Sequence, residues 1–220
     1  ALPAACSTAA TPSVAAATDP VAENMLLLQT PSGGWSKHYH GKKVDYTRSY
    51  TSDERAALLA PDRRDDATLD NKATTAEIAY LVQAHRETGN PAYLAAAGRG
   101  VEYLLQAQYA NGGWPQYCPG RSSYRHQITL NDDAMVRAIS LLQDIAEGRD
   151  DMAVLTPRYG ARAVTAAQRG IDSLLALQNR LADTGRQLEQ QGQIHVDAGE
   201  NYAVAAVAWL ERLTGTENAP

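Results

Sequence analysis

Phenylalanine is missing altogether from this 220-residue chain, and cysteine occurs only twice. Valine and isoleucine are sparse, while alanine and leucine dominate. With few β-branched residues and many that lose little side-chain freedom in a helix, the chain favours helix over strand. No apolar run reaches the roughly 20 residues that a membrane-spanning helix requires. An excess of basic charge is missing too. At a formal net charge of -5 there is no basic stripe to displace the counterions of a phosphate backbone, which excludes a nucleic-acid binder. An anionic sugar polymer is not excluded, because a bound divalent cation reverses the local sign of the field. The two cysteines, Cys6 and Cys118, define no framework; in an exported chain they are candidates for a single disulfide.

What the sequence does have is internal repetition, the signature of stacked structural units. Leu27-Leu28-Gln29 leads through three residues into Gly33-Gly34-Trp35, and Leu104-Leu105 with Gln108 leads likewise into Gly112-Gly113-Trp114. Residues 98–108 also match residues 168–178, so three equivalent helices are expected to end at Gln29, Gln108 and Gln178. Partner helices are predicted over 74–88 and 132–147, the second paired with the equivalent helix over 157–179. The first has apolar Ile78, Leu81 and Val82 at helical spacing and stops at Gly89-Asn90-Pro91. A last helix over 203–213 is apolar on several sides. Each helix must bury a face, and stacked pairs close a ring or solenoid. Residues 1–20, rich in alanine, serine, threonine and proline, read as an export remnant or disordered leader. Residues 21–220 read as one domain.

Between the helices, short and long connections alternate. The long ones, 33–73 and 112–130, carry Trp, Tyr, Asp, Arg and His, and the alternation places both on one rim, where function gathers. Three groupings there bear chemistry. The first is Trp35 with Lys37 and Trp114 with Tyr117: either a flat sugar platform, or a helix-end clamp whose tryptophans cover the core. The second is Asp70-Asn71 and Asn131-Asp132-Asp133, each opening a partner helix. Helix capping accounts for one such motif. Two side by side supply hard oxygen ligands that suit Ca²⁺ better than Zn²⁺, and His38 and His40 show no zinc spacing. The third is cationic, with Lys37, Lys42, Lys43, Lys72, Arg121 and Arg125 placed to meet substrate carboxylates. Arg63-Arg64-Asp65-Asp66 reads as a solvated mixed-charge run.

The order Gln-x-x-x-Gly-Gly-Trp, Asp70-Asn71-x-Ala73-Thr74, then 108–116 through Gly112-Gly113-Trp114-Pro115-Gln116, then Ile128-Thr129-x-Asn131-Asp132-Asp133-Ala134-Met135 resembles the pectate lyases of polysaccharide lyase family ten. The likeness runs from about Glu23 to about Gln178 and includes Arg169-Gly170-Ile171-Asp172. It implies an all-α fold, an α/α toroid of repeated helix hairpins with its functional loops on one rim. It implies an enzyme that cleaves polygalacturonate by β-elimination with Ca²⁺, and the leader adds the expectation of secretion. Asp70, Asn71, Asp132 and Asp133 would then hold the metal, with Asp70 and Asp132 at the reaction centre. Trp35, Lys37, Lys72, Trp114, Tyr117 and Arg125 would bind the sugar.

The resemblance also implies an arginine base, which requires strong local perturbation because free guanidinium stays protonated. The family's Trp-Cys-Ala-Gln and Ala-Arg-Ala-x-Glu blocks have no counterpart after Gln178. Arg180 and Arg186 are the only nearby stand-ins, so no base is assigned, and a non-catalytic pectate-binding relative is the alternative. The Gln-x-x-x-Gly-x-Trp pattern also resembles triterpene cyclases, but the acid motif of those enzymes is absent. An incomplete toroid leaves core faces uncovered, so a monomer or weak dimer is expected.

Overall fold

The computed structural model describes residues 17–61, 63–120 and 123–192. The expectations for residues 1–16, for Cys6 and its bridge, for Arg121 and for the helix over 203–213 lie outside the described residues. Among the described residues six α-helices carry the fold: α1 (Pro20–Leu28), α2 (Ser52–Leu59), α3 (Thr75–Thr88), α4 (Pro91–Ala107), α5 (Ala134–Glu147) and α6 (Thr156–Gln190). A short antiparallel hairpin, β1 (His38–Tyr39) and β2 (Lys42–Lys43), projects from the first long loop. The all-α expectation holds, and no described helix is long and apolar enough to cross a membrane.

Helices α3 and α4 pack as one hairpin and α5 and α6 as a second. The hairpins stack with α3 against α5 and α4 against α6, and α1 lies on the free side of the first pair. The result is two rows, α1–α4–α6 and α3–α5. Their shared interior holds Ile78, Leu81, Leu104, Leu142 and Ile145, each at most 2% exposed. Gly89 and Gly148 end α3 and α5 in the left-handed conformation, where a side chain would strain the backbone. Asn90 then caps α4, its side chain accepting the Ala92 N–H at 3.0 Å, with Pro91 in the first turn.

Three boundaries differ from expectation. Asp19 and Pro20 belong to the fold: Asp19 accepts from the backbone N–H groups of Val21 and Ala22 and from the Tyr80 hydroxyl. The loop over 33–73 is not bare, since Thr51 and Glu54 form a reciprocal capping box that starts α2. Helix α6 does not end at Gln178 but runs to Gln190. Gln29 and Gln108 are followed within four residues by a glycine at φ 95 and 90, Gly33 and Gly112. Gln178 is followed by Asn179-Arg180-Leu181-Ala182, which lets the helix continue.

Candidate active site

The site begins with the repeated turn. In each copy the glutamine amide spans two carbonyls: Gln29 donates to Gly33 O (2.7 Å) and Ala96 O (2.9 Å), and Gln108 to Gly112 O (2.9 Å) and Ala166 O (2.8 Å). Each tryptophan donates its indole N–H back into the helix just finished, Trp35 to Met25 O and Trp114 to Leu104 O, both at 2.8 Å. Both rings are 0% exposed. Each sits over a glycine of the next helix, Gly100 and Gly170, where an added Cβ would meet the ring within 2.8 Å. The sugar-platform expectation for Trp35 and Trp114 is therefore corrected. Of the two roles the sequence allowed, the fold uses the clamp, because a notch in the neighbouring helix is shaped to receive each indole.

The clamps bring the two long loops together. Thr68 N–H donates to Trp35 O (3.0 Å), Leu69 N–H to Gln116 O (3.0 Å), and the Thr68 hydroxyl to Gln116 O (2.7 Å). The loops thus share one rim, as the alternation of connections predicted. At their meeting point Asp70 and Asp132 face each other closely enough to share a hydrogen bond. Asp70 is 3% exposed and forms an ion pair with Lys37, yet its Oδ1 is buried without a partner. Burial works to raise the Asp70 carboxyl, but its bonds to Lys37, Asp132 and Gln116 and the Lys37 charge outweigh it, leaving the group below its ordinary value. Asp132 moves the other way, raised by the hydrogen bond to Asp70, by desolvation and by the repulsion of that charge. Two like charges in contact push each other's proton affinity apart, Asp132 upward here, and a cation between them relieves that repulsion.

Neither acid motif does the capping that would have explained it blandly. No side chain caps α3 or α5. Instead Asn71 (φ 52), Lys72 (φ 71), Thr74 (φ 70), Asp132 (φ 53) and Asp133 (φ 55) hold the left-handed region that non-glycine residues avoid.

Among the described residues, cavities open side by side along the rim, three of them at the acids. The first, about 660 Å³, is lined by Lys37, Asp70, Gln116, Tyr117 and Arg125 among others. The second, about 730 Å³, is lined by Lys37, Asn71, Lys72, Asp132, Asp133 and Arg137 among others. Lys37 stands between them. Lys72 and Arg137 continue into the third, about 500 Å³, along the seam of α3 and α5. The guanidinium of Arg125 lies 5.1 Å from the Tyr117 ring centroid, a cation–π distance.

The structure therefore gathers Lys37, Lys72, Tyr117 and Arg125 along the cleft, with Asp70 and Asp132 at its centre. Asp133 does not join that pair: it is exposed and faces Arg137 at 3.3 Å. Among the described residues no group of three or more His, Cys, Asp or Glu is placed to hold a metal. Arg63 departs from the solvated run expected of its sequence. It is half-buried, and its guanidinium donates to the carbonyls of Leu27 (3.0 Å), Leu28 (3.3 Å), Gln29 and Leu58, closing the ends of α1 and α2. Nothing in a run of alternating charge separates such an arginine from a solvated one.

Three comparisons bear on the chain. No curated protein matches it. A family 10 polysaccharide lyase from Cellvibrio cellulosa matches in structure with a TM-score of 0.61 and 28% identity, over 72% of this chain and 46% of that one. An aspartate-to-alanine mutant of the same lyase, in complex with trigalacturonic acid, matches to the same degree. The chain thus spans less than half the length of those lyases. A family model described as pectic acid lyase matches residues 29–208. With that match covering most of its length and the repeated clamps and facing acids inside it, the chain belongs to the pectic acid lyase family, polysaccharide lyase family ten.

Proposed function

We propose that this chain binds polygalacturonate along the three-cavity rim and acts on it as a Ca²⁺-dependent lyase. The observation that carries the reading is the Asp70–Asp132 contact beside Lys37, two carboxylates from neighbouring repeats meeting in a cationic cleft. The donor set fits a hard cation: both groups offer oxygen, one oxygen of Asp70 is buried and unpartnered, and nothing soft is present. Asp70 and Asp132 would hold Ca²⁺, with Asn71 on the adjoining wall and Asp133 further out. When bound, the ion neutralises the uronate carboxylate and so acidifies the C5 proton alpha to it. Lys37, between two cavities, meets the same developing negative charge from the protein side, while Lys72 and Arg125 orient carboxylates of flanking sugars. Tyr117 offers the cleft an aromatic wall that the buried tryptophans do not. The elimination itself would pass the C5 proton to a base not among these residues, release O4 as a protonated hydroxyl of the departing sugar and leave a C4–C5 double bond.

A second reading, a galacturonate-binding relative that does not cleave, is favoured by the arginines. Arg63 is committed to four carbonyls, and Arg137 faces Asp133. Arg180 is exposed on α6, Arg186 pairs with Asp183 there, and neither lines the three cavities. One assay separates the readings. Protein with polygalacturonate and Ca²⁺ should generate unsaturated, ultraviolet-absorbing products that EDTA abolishes. Retention in a pectate affinity gel without such products selects the binder, and neither signal defeats both.

Two smaller expectations belong to the same proposal. Secretion agrees with a polymeric substrate. Leu175 and Leu177, 51% and 36% exposed on α6, suit weak self-association.

A further inference from the structure

Tyr46 and Glu77 form a buried contact that the cleft chemistry does not use. Glu77 lies on α3, one turn beyond the Asp70-Asn71 turn, and is 7% exposed. Its Oε1 accepts the Tyr46 hydroxyl at 2.9 Å, while Oε2 is buried without a partner. The carboxyl also faces the backbone N–H groups of Thr74 and Glu77 at the start of α3, so Tyr46 is the partner it takes from another part of the chain. Tyr46 is held on its other side by α1, where the Asn24 amide donates to Tyr46 O (2.8 Å) and Arg48 O (2.9 Å). Two residues before Tyr46, the Val44 N–H donates to Lys37 O at 3.0 Å. Lys37 in turn reaches Asp70, seven residues ahead of Glu77 on the approach to the same helix. The path from α3 through Glu77, Tyr46, Val44 and Lys37 back to Asp70 is therefore closed. Tyr46, Glu77, Val44 and Lys37 all line the second cavity together with Asp132.

We propose that Tyr46 and Glu77 are positioning residues: their hydrogen bond fastens the hairpin-bearing loop to α3 and so holds the Lys37 ammonium on Asp70. The inference rests on the proposed function only for its galacturonate readout; the placement of Lys37 is testable without any ligand.

Mild amine acetylation of the full chain, followed residue by residue by mass spectrometry, reads that placement. In the parent, Lys37 should react more slowly than the exposed Lys42 and Lys43 of the hairpin. In Tyr46→Phe, losing one buried hydrogen bond should raise the Lys37 rate roughly tenfold while leaving Lys42 unchanged. Glu77→Gln keeps a carbonyl to accept from Tyr46, so Lys37 should stay slow. An unchanged Lys37 rate in Tyr46→Phe overturns the proposal, as does a common rise at all lysines or equal exposure in Glu77→Gln. Affinity for trigalacturonate supplies the second arm. If Tyr46 acts through Lys37, the Tyr46→Phe, Lys37→Ala double variant should bind no worse than Lys37→Ala alone; additive losses would overturn the inference. A parent that binds no trigalacturonate strikes the galacturonate reading, and the acetylation pattern then decides the latch by itself.

Discussion

The two repeats share a backbone and differ in what they hide. Thr68 N–H meets Trp35 O at 3.0 Å, and Thr129 N–H meets Trp114 O at 3.1 Å. In that register Asn71 (φ 52) corresponds to Asp132 (φ 53) and Lys72 to Asp133. The residue identities diverge from there. Asp70 in the first copy answers to Asn131 in the second, Thr74 to Met135, and Glu77 to Ala138. Thr74 is wired into the first copy, accepting from Trp35 N–H (3.0 Å) and donating to Thr68 O (2.9 Å), whereas Met135 only fills space. One copy thus carries a polar interior that fixes a carboxylate and a lysine, and the other presents its acids from an apolar base. Repetition supplied the scaffold, and divergence inside one copy supplied the chemistry.

The comparison can be pressed hardest at the turns that are alike. A Cβ at Gly112 would collide with Arg169 O, and one at Gly33 would lie 2.7 Å from Arg99 O, both at positive φ. Gly112→Ala should cost about 4 kcal/mol and Gly33→Ala about 2 to 3 kcal/mol, read by denaturant unfolding. The reverse order would mean that the second turn is the looser one. The acids come next. Asp70→Ala should lower Ca²⁺-dependent turnover about 1,000-fold and the exposed Asp132→Ala about 100-fold. Equal losses would deny that the first copy carries more of the chemistry. Trp35→Phe should cost about 1 kcal/mol of stability through the lost bond to Met25 O, with KM for trigalacturonate unchanged. A raised KM would restore the indole as a sugar contact.

The smallest effect concerns Glu77. Burial outweighs the Tyr46 bond and holds its carboxyl above the ordinary value of 4.5. A carboxyl that keeps its proton more tightly when folded contributes most below that ordinary value, and its contribution falls as pH rises through the folded one. Glu77→Gln should therefore flatten the decline of Tm above the ordinary carboxylate range. An unchanged slope would show that Glu77 keeps its ordinary acidity in the fold.

Much of this was legible in the residues. Helices α3, α4 and α5 follow from apolar spacing and from Gly89, Pro91 and Gly148, because those signals act within a turn or two of the chain. The convergence of Asp70 and Asp132 followed from alternating loop lengths, which fix the rim without any knowledge of packing. The tryptophans were ambiguous because a ring after paired glycines can turn either way, and only the notches at Gly100 and Gly170, contributed by other helices, decide it. Most of Arg63's partners lie more than thirty residues away from it, as Tyr46 and Glu77 do from each other, and no local pattern encodes these contacts. Helix α6 overran its expected end because its repeat lacks the glycine that stops the others.

The left-handed turns at Asn71 and Asp132 put the functional groups where the backbone is least content. Glycine at either place would relax the chain and remove the chemistry in the same stroke. Any selection for heat resistance alone should therefore erode these two positions first, trading the proposed site for a sturdier inert shell.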